Sequence, residues 1–217
     1  SPSQLIQDAR RHGVIVHPVD VGCSDPDSTL QRDGSVRLGL CEIKGFSRAG
    51  AARIAASREA EDFRDLADLA ARALLDRGDL GLLAAADALK GLAGNRREAA
   101  WASTGVVARQ GDLFDGLPPA EERIAFPAPS LAENLVADYR QLGHTLREHP
   151  LSLLRARLRK RRFVTASDLK EAGNRALIRS AGIVVGRQRP GTASGIVLDR
   201  KSVVLGNSVD IGGRRLI

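Results

Sequence analysis

The spacing of apolar positions changes along the chain and divides it into stretches of different character. Gln4–His12 has a helical spacing, with Ser3 placed as an N-cap and Gly13 as the stop. Val14, Ile15 and Val16 then form an apolar run that predicts a buried strand closed by Pro18. Asp20 to Pro26 is rich in turn residues, and Thr29-Leu30 and Val36-Arg37-Leu38 predict a hairpin around Asp33-Gly34. From Ile43 to about Ala108 the period becomes helical. Helices are expected at Arg48–Arg58, Phe63–Ala73, Arg77–Leu89 and Arg96–Val106, punctuated by Gly45, Gly91 and Gly94. Residues 105–130 hold four prolines and no period, which predicts a linker. Leu131–Leu142 follows as a helix capped by Ser130, and the basic stretch Leu151–Arg162 also predicts a helix. Past Arg175 the pattern alternates, giving two strands separated by Arg187–Gly195.

Composition narrows the class. The chain has 217 residues, of which 43% are hydrophobic and 27% charged, as in ordinary globular proteins. Only 3% are aromatic, so aliphatic side chains must fill the core. Lys and Arg number 33 against 26 Asp and Glu, a net charge of +7 carried mostly by Arg. That balance favours a polyanionic partner, since guanidinium groups bind phosphate through two donors at once. Cys23 and Cys41 are too few for a disulfide framework and fit a reducing, cytoplasmic setting. No apolar run reaches the roughly 20 residues that span a bilayer, so no membrane partner is expected. The first residues lack the apolar core of a signal peptide, and a start inside a helix without Met is expected of a piece of a longer protein.

Three stretches carry candidate chemistry. In Arg37–Arg58, Ile43 precedes Lys44-Gly45-Phe46-Ser47, and a helix follows with Ala49, Ala52 and Ile54 inward. This is the pattern of a helix-hairpin-helix element. Gly45 permits a tight turn, and the next helix aims unpaired N–H groups and its positive end at a phosphate. Lys44, Arg48 and Arg53 would add charge without reading base sequence. The alternative is a plain helical hairpin with solvated charges. A weaker echo, Leu89 to Gly94 followed by the cap Asn95 and by Arg96-Arg97, offers a second member, or else an ordinary cap with exposed arginines. In the linker, Gln110, Leu113 and Phe114 form a Q-x-x-L-F peptide. Adjacent exposed Leu and Phe suit an apolar pocket on a partner, or fold back onto the chain's own core. Finally, Arg155, Arg157, Arg159, Lys160, Arg161 and Arg162 follow one another with no acid between them. They suit a phosphate track or an Arg-rich solvated helix.

Other groupings are set aside. Cys23, Cys41, His12 and His17 lack zinc-ligand spacing, and Asp20, Asp25 and Asp27 sit in a turn-rich segment where Asp satisfies local backbone donors. No phosphate-loop or nucleophile-elbow motif occurs. His149-Pro150 marks a helix boundary.

The blocks Gln4–Val21, Arg37–Ile54, Phe63–Arg72, Leu135–Leu151 and Val184–Val197, in this order, resemble the region after the catalytic core in the bacterial DNA polymerase III alpha-subunit family, and most closely its error-prone branch. The resemblance implies a mainly α fold: a tandem helix-hairpin-helix region, a small α/β N-terminal element and a truncated OB-type β end. It implies the end of the polymerase fingers region over 1–40, a helix-hairpin-helix DNA-binding module over 41–108 and a linker with a clamp-binding peptide over 109–130. Connecting helices over 131–174 and the start of an OB fold over 175–198 complete it. Residues 199–217 resemble a translated adapter sequence and are expected to be non-native and dispensable. Double-stranded DNA would be met by Lys44, Gly45, Phe46, Ser47, Arg48, Arg53, Arg96, Arg97, Arg187 and Arg189, and the bacterial sliding clamp by Gln110, Leu113 and Phe114. Other mutagenesis-pathway proteins are further expected partners. The longer protein would be a DNA-directed DNA polymerase for translesion synthesis that uses Mg2+, with its catalytic carboxylates upstream of every residue here. The replicative alpha subunit and a free-standing, non-enzymatic DNA-binding adaptor are the alternatives.

Overall fold

A proline tolerated in the first helical turn, and a glycine that ends the last, fix the first element. The computed structural model of the chain describes residues 2–109, 126–171, 177–183, 187–188 and 198–199. α1 runs Pro2–Arg11, so Ser3 lies inside the helix instead of capping it. Proline is at home there, because its missing N–H would have been unpaired anyway.

The expected strand Val14–Val16 is displaced. β1 is Val16–His17, and Ile15 is 63% exposed. Pro18 brings no N–H to the ladder, so pairing stops at His17. β2 (Thr29–Leu30) and β3 (Val36–Arg37) form the expected hairpin, and β1 joins β3 in parallel to give the order β1-β3-β2. The Asp33 carboxylate takes Ser35 N–H and Oγ–H within the turn. Gly39 is needed where the chain leaves β3, since a Cβ there would lie 2.3 Å from the Asp27 carbonyl carbon.

A 3-10 turn, Leu40–Glu42, leads into α2 (Arg48–Ala60), α3 (Leu66–Arg72), α4 (Arg77–Ala85), α5 (Lys90–Ala93), α6 (Arg96–Arg109) and α7 (Leu131–Gln141). Short polar caps set the starts. Ser47 accepts from Gly50 N, Asp65 from Asp68 N and Asp76 from Asp79 N. Ser130 and Glu133 form a reciprocal capping box on α7. The Asp65 cap moves the start of α3 past Phe63, whose ring instead carries the Arg72 guanidinium 4.9 Å from its centre. α4 ends at Ala85, before Asp87 at φ 64°, and a helical turn, α5, replaces the plain turn expected at Leu89–Gly94. The core is aliphatic, as the scarcity of aromatics requires. Leu40, Ile43, Ile54, Leu69, Leu75, Leu80, Leu83 and Leu89 are buried in one cluster with Val19 and Val21.

The chain divides into two compact units, Ser1–Glu148 and His149–Ile217. The first contains everything from α1 to α7, so its core draws on residues both before and after 40. In the second, the expected basic helix is broken. Pro150 opens a 3-10 segment, Pro150–Leu154, with His149 Nδ1 accepting from Leu151 N, and only Arg155–Lys160 is α-helical, α8. β4 (Phe163–Val164) pairs in parallel with β5 (Arg179–Ser180), and α9 is Ala166–Glu171. β6 (Arg187–Gln188) pairs antiparallel with β7 (Leu198–Asp199). These described strands form two short pairs, which do not define an OB barrel. Gln110, Leu113, Phe114, Arg189 and residues 200–217 lie outside the described residues, as does the side chain of Arg187.

Candidate nucleic-acid interface

Ile43 and Phe46, both buried, anchor the two ends of a short turn, and Gly45 between them takes φ 81°. That is the left-handed region, which costs an L side chain about 1–2 kcal/mol. Space is not the constraint, because the nearest atom to a Cβ at Gly45 would be Leu82 Cδ1 at 3.8 Å. Ser47 then starts α2, its side-chain oxygen holding Gly50 N and its carbonyl Ala51 N. Lys44 N donates to Gln141 O and Phe46 N to Ile43 O. Among the described residues, the N–H groups of Gly45, Ser47, Arg48 and Ala49 meet no acceptor. Open donors at the positive end of a 13-residue helix can take a phosphate oxygen.

The cations expected to reinforce this turn are used elsewhere. Lys44 Nζ donates to the carbonyls of Tyr139 (3.3 Å) and Arg140 (3.2 Å) at the C-terminus of α7. Arg48 forms a forked pair with Asp27 at 2.7–3.0 Å. Arg53 holds the carbonyls of Ala73 (2.7 Å) and Leu74 (3.2 Å). Arg97 binds Pro127 O at 3.0 Å and Glu133 at 2.6 Å. Arg96, only 8% exposed, pairs with Asp138 and donates to Ala85 O and Asn134. Arg96 and Phe46 lie in the interior, Arg96 paired with Asp138 and Phe46 in the apolar core, because an unpaired buried guanidinium or a Phe ring left in water would each be costly. Lys44, Arg48, Arg53 and Arg97 keep exposed atoms, with part of their donors engaged within the chain.

The turn is held from behind by residues that local spacing did not single out. Gln141 pairs with Lys44 in both directions, its carbonyl taking Lys44 N (2.9 Å) and its Nε2 donating to Lys44 O (2.8 Å). Asp138 collects Arg96, Arg147 (3.3 Å) and Thr145 (2.6 Å), and Arg147 also binds Asp87 at 2.7 Å. This network spans residues 87 to 147, far beyond any window a periodicity can sense. A trace of it was present: Leu135, Asp138 and Gln141 recur at i, i+3, i+6 on the inward stripe of α7, where an Asp needs a buried partner. His144 follows, 3% exposed, with Nδ1 at 3.1 Å from Leu142 O and Nε2 unpartnered. Burial pushes its imidazole below the ordinary 6.5, reinforced by Lys44 and opposed by the Leu142 carbonyl, Glu42 and Asp138.

Comparison with known proteins agrees with this geometry. The helix-hairpin-helix motif family matches residues 13–99, which include the Gly45 turn and both flanking helical segments. The chain is 69% identical over 198 residues to the error-prone DNA polymerase of Dechloromonas aromatica, covering 91% of this chain and 19% of that protein. It is 55% identical over 206 residues to the error-prone DNA polymerase of Azoarcus sp. (91% and 19%), and 46% identical over 204 residues to that of Pseudomonas syringae pv. syringae (90% and 20%). The chain thus spans about a fifth of the length of these relatives. Over about nine-tenths of its length the chain is thus similar to one stretch of the error-prone DNA polymerases, and it carries a helix-hairpin-helix motif.

Proposed function

We propose that this chain is the duplex-holding part of a DNA-directed DNA polymerase that acts in translesion synthesis, in the cytoplasm. The observation that carries the reading is the row of open N–H donors at Gly45, Ser47, Arg48 and Ala49, set at the start of α2 by a left-handed glycine. Backbone donors grip a phosphate without reading bases, as a polymerase that must slide along any sequence requires. Nucleotide transfer itself belongs to other residues of the longer protein. Among the described residues no three His, Cys, Asp or Glu side chains group as metal ligands, and Asp25 and Asp27 are committed to Arg58 and Arg48. The Mg2+ such a reaction uses is proposed to be held by residues of the longer protein upstream of this chain. The β end after 175 is proposed to open an OB fold, to which Arg187 and Arg189 would add DNA contacts.

Fluorescence anisotropy with a mixed-sequence duplex tests the hairpin. Gly45→Ala should weaken binding several-fold while the chain stays folded, because the strained turn moves its donors. A folded Gly45→Ala protein with wild-type affinity would remove the hairpin from the interface. The peptide Gln110, Leu113 and Phe114 is proposed to tether the polymerase to the bacterial sliding clamp. Leu113→Ala with Phe114→Ala should abolish clamp pull-down and leave duplex affinity unchanged. Normal pull-down by the folded double variant would place the tether elsewhere.

A further inference from the structure

The positive charge that the hairpin does not supply is found on α8. No acidic residue occurs between Glu148 and Asp168, while six cations fall within Arg155–Arg162. Arg157, Arg159, Lys160, Arg161 and Arg162 are exposed, Arg155 is half-buried, and Leu158 is the helix's buried residue. Among the described residues, none of these six side chains takes part in an ion pair or a hydrogen bond. Asp168 lies within the field of Arg159 and Arg155, and it caps α9 with Thr165: its carboxylate accepts from Thr165 N at 2.7 Å, and Asp168 N donates to Thr165 Oγ1 at 3.2 Å. Hydrogen bonds from Thr165 hold that carboxyl below its usual range, and the charges of Arg159 and Arg155 add to the effect. Among the described residues, no carboxylate pairs with Arg157, Lys160, Arg161 or Arg162.

Stability does not explain this arrangement. Arg155 and Arg159 are like charges four apart, which weakens a helix. The dipole rewards the cations of the last turn, Arg157, Arg159 and Lys160, but gives no reason for Arg155 or Arg162. We propose that α8 is the chain's main electrostatic contact with the DNA backbone, an inference that rests on the DNA-binding reading above. At 100° per residue, Arg155 and Arg159 fall on one flank of α8 and Arg157 on the other, with Arg161 and Arg162 following past its C-terminus. A fan on two sides suits a rod-like polyanion with phosphates to either side. A lipid surface would instead ask for an apolar face opposite the charges, and Leu158 is turned into the protein. The exposed pair Leu153 and Leu154 just before α8 makes vesicles the proper second probe.

The test uses the whole 217-residue chain. Duplex affinity is measured by anisotropy across a salt series for the wild type and for Arg157→Gln, Lys160→Gln, Arg161→Gln and Arg162→Gln combined. The slope of log affinity against log salt should shrink by roughly 2–4, since each lost phosphate contact removes about 0.9. Affinity at 0.1 M salt should fall by at least about tenfold, with the thermal melt unchanged. A charge-keeping variant, Arg157→Lys with Arg161→Lys and Arg162→Lys, should retain the wild-type slope. An unchanged slope in the folded four-Gln variant overturns the proposal. So does binding to phosphatidylglycerol vesicles that needs these four residues when duplex binding does not. If Gly45→Ala is silent while the four-Gln variant loses the duplex, the hairpin reading fails and α8 stands. The reverse pattern removes α8 and keeps the hairpin. A wild-type chain that binds no duplex removes both.

Discussion

The hairpin region and α8 are equally basic to the eye, yet folding treats their charges in opposite ways. Around the hairpin every candidate cation meets an acceptor. Lys44 closes the end of α7, Arg53 the end of α3, and Arg96 the end of α4 through Ala85 O, while Arg58 ties the carbonyls of Val21 (2.9 Å) and Ser24 (2.8 Å) to α2. Each of these guanidinium or ammonium groups takes carbonyls that a helix end or loop leaves unpaired. In a chain so poor in aromatic side chains, arginine stems and forks join elements that small aliphatic residues alone would not reach across. On α8 the same residue type meets no acceptor among the described residues. Basic character in a sequence is therefore a count of donors, and only the fold says how many remain for a partner.

The largest effect expected from this contrast is on stability. Asp138→Ala strips the shared partner from Arg96 and Arg147 and leaves a guanidinium that is 8% exposed without its carboxylate. Removing one member of a buried pair costs about 3–5 kcal/mol. Denaturant melts should show a loss of that size, whereas Arg159→Gln on α8 should stay within about 0.5 kcal/mol of the wild type. Equal effects from the two substitutions would erase the distinction between spent and open charges.

A smaller effect sharpens the comparison on the binding side. Gln141 touches the hairpin only through Lys44, and it offers DNA no charge. Gln141→Ala removes the bond to Lys44 O, worth about 1 kcal/mol. Duplex affinity should fall with the salt slope unchanged, because a misplaced turn loses contact quality without losing a cation. The α8 variants should do the opposite and change the slope. A Gln141→Ala protein with a reduced slope would mean that the hairpin's own charges face DNA after all.

Much of the fold was legible because local rules agree with it. The Asp33-Gly34 hairpin and the Ser130 cap each follow from neighbours a few residues apart. The turn at Gly45 was legible for the same reason. α2, by contrast, buries Gly50, Ala51 and Ile54 and leaves exposed the Ala49 and Ala52 expected to face inward. Helix ends were read less well where a cap one or two residues away decided the matter, as Asp65 did for α3 and Asp87 for α4. What could not be read was the fate of charge. Arg96 and Asp138 stand 42 positions apart, and nothing near Arg96 in the chain shows that it will be buried. Wider gaps, of 95 and 96 positions, separate Lys44 from the Tyr139 and Arg140 carbonyls that occupy it.

The smallest effect concerns proton uptake behind the hairpin. His144 is buried with Nε2 unpartnered, so the folded chain resists protonating it and its pKa lies below 6.5. The unfolded chain takes up that proton near 6.5 as pH falls, and the folded chain does so only further down. Between the two values the unfolded state binds more protons, so stability declines as pH drops below 6.5 and levels off once the folded form is protonated. Carboxylates held below their usual range, such as Asp68 and Asp33, lose stability in a separate window, at and below the carboxylate range. The arginines of α8 keep their charge throughout both windows. Melts between pH 7 and pH 5 should therefore show a decline, and His144→Gln should flatten it while leaving the acid limb of the carboxylates in place. Duplex binding should follow the same proton, because Glu42 and Lys44, the groups nearest the imidazole in charge, belong to the hairpin itself. A His144→Gln chain that keeps the full decline would show that the proton enters elsewhere, and that the hairpin's backing is insensitive to pH.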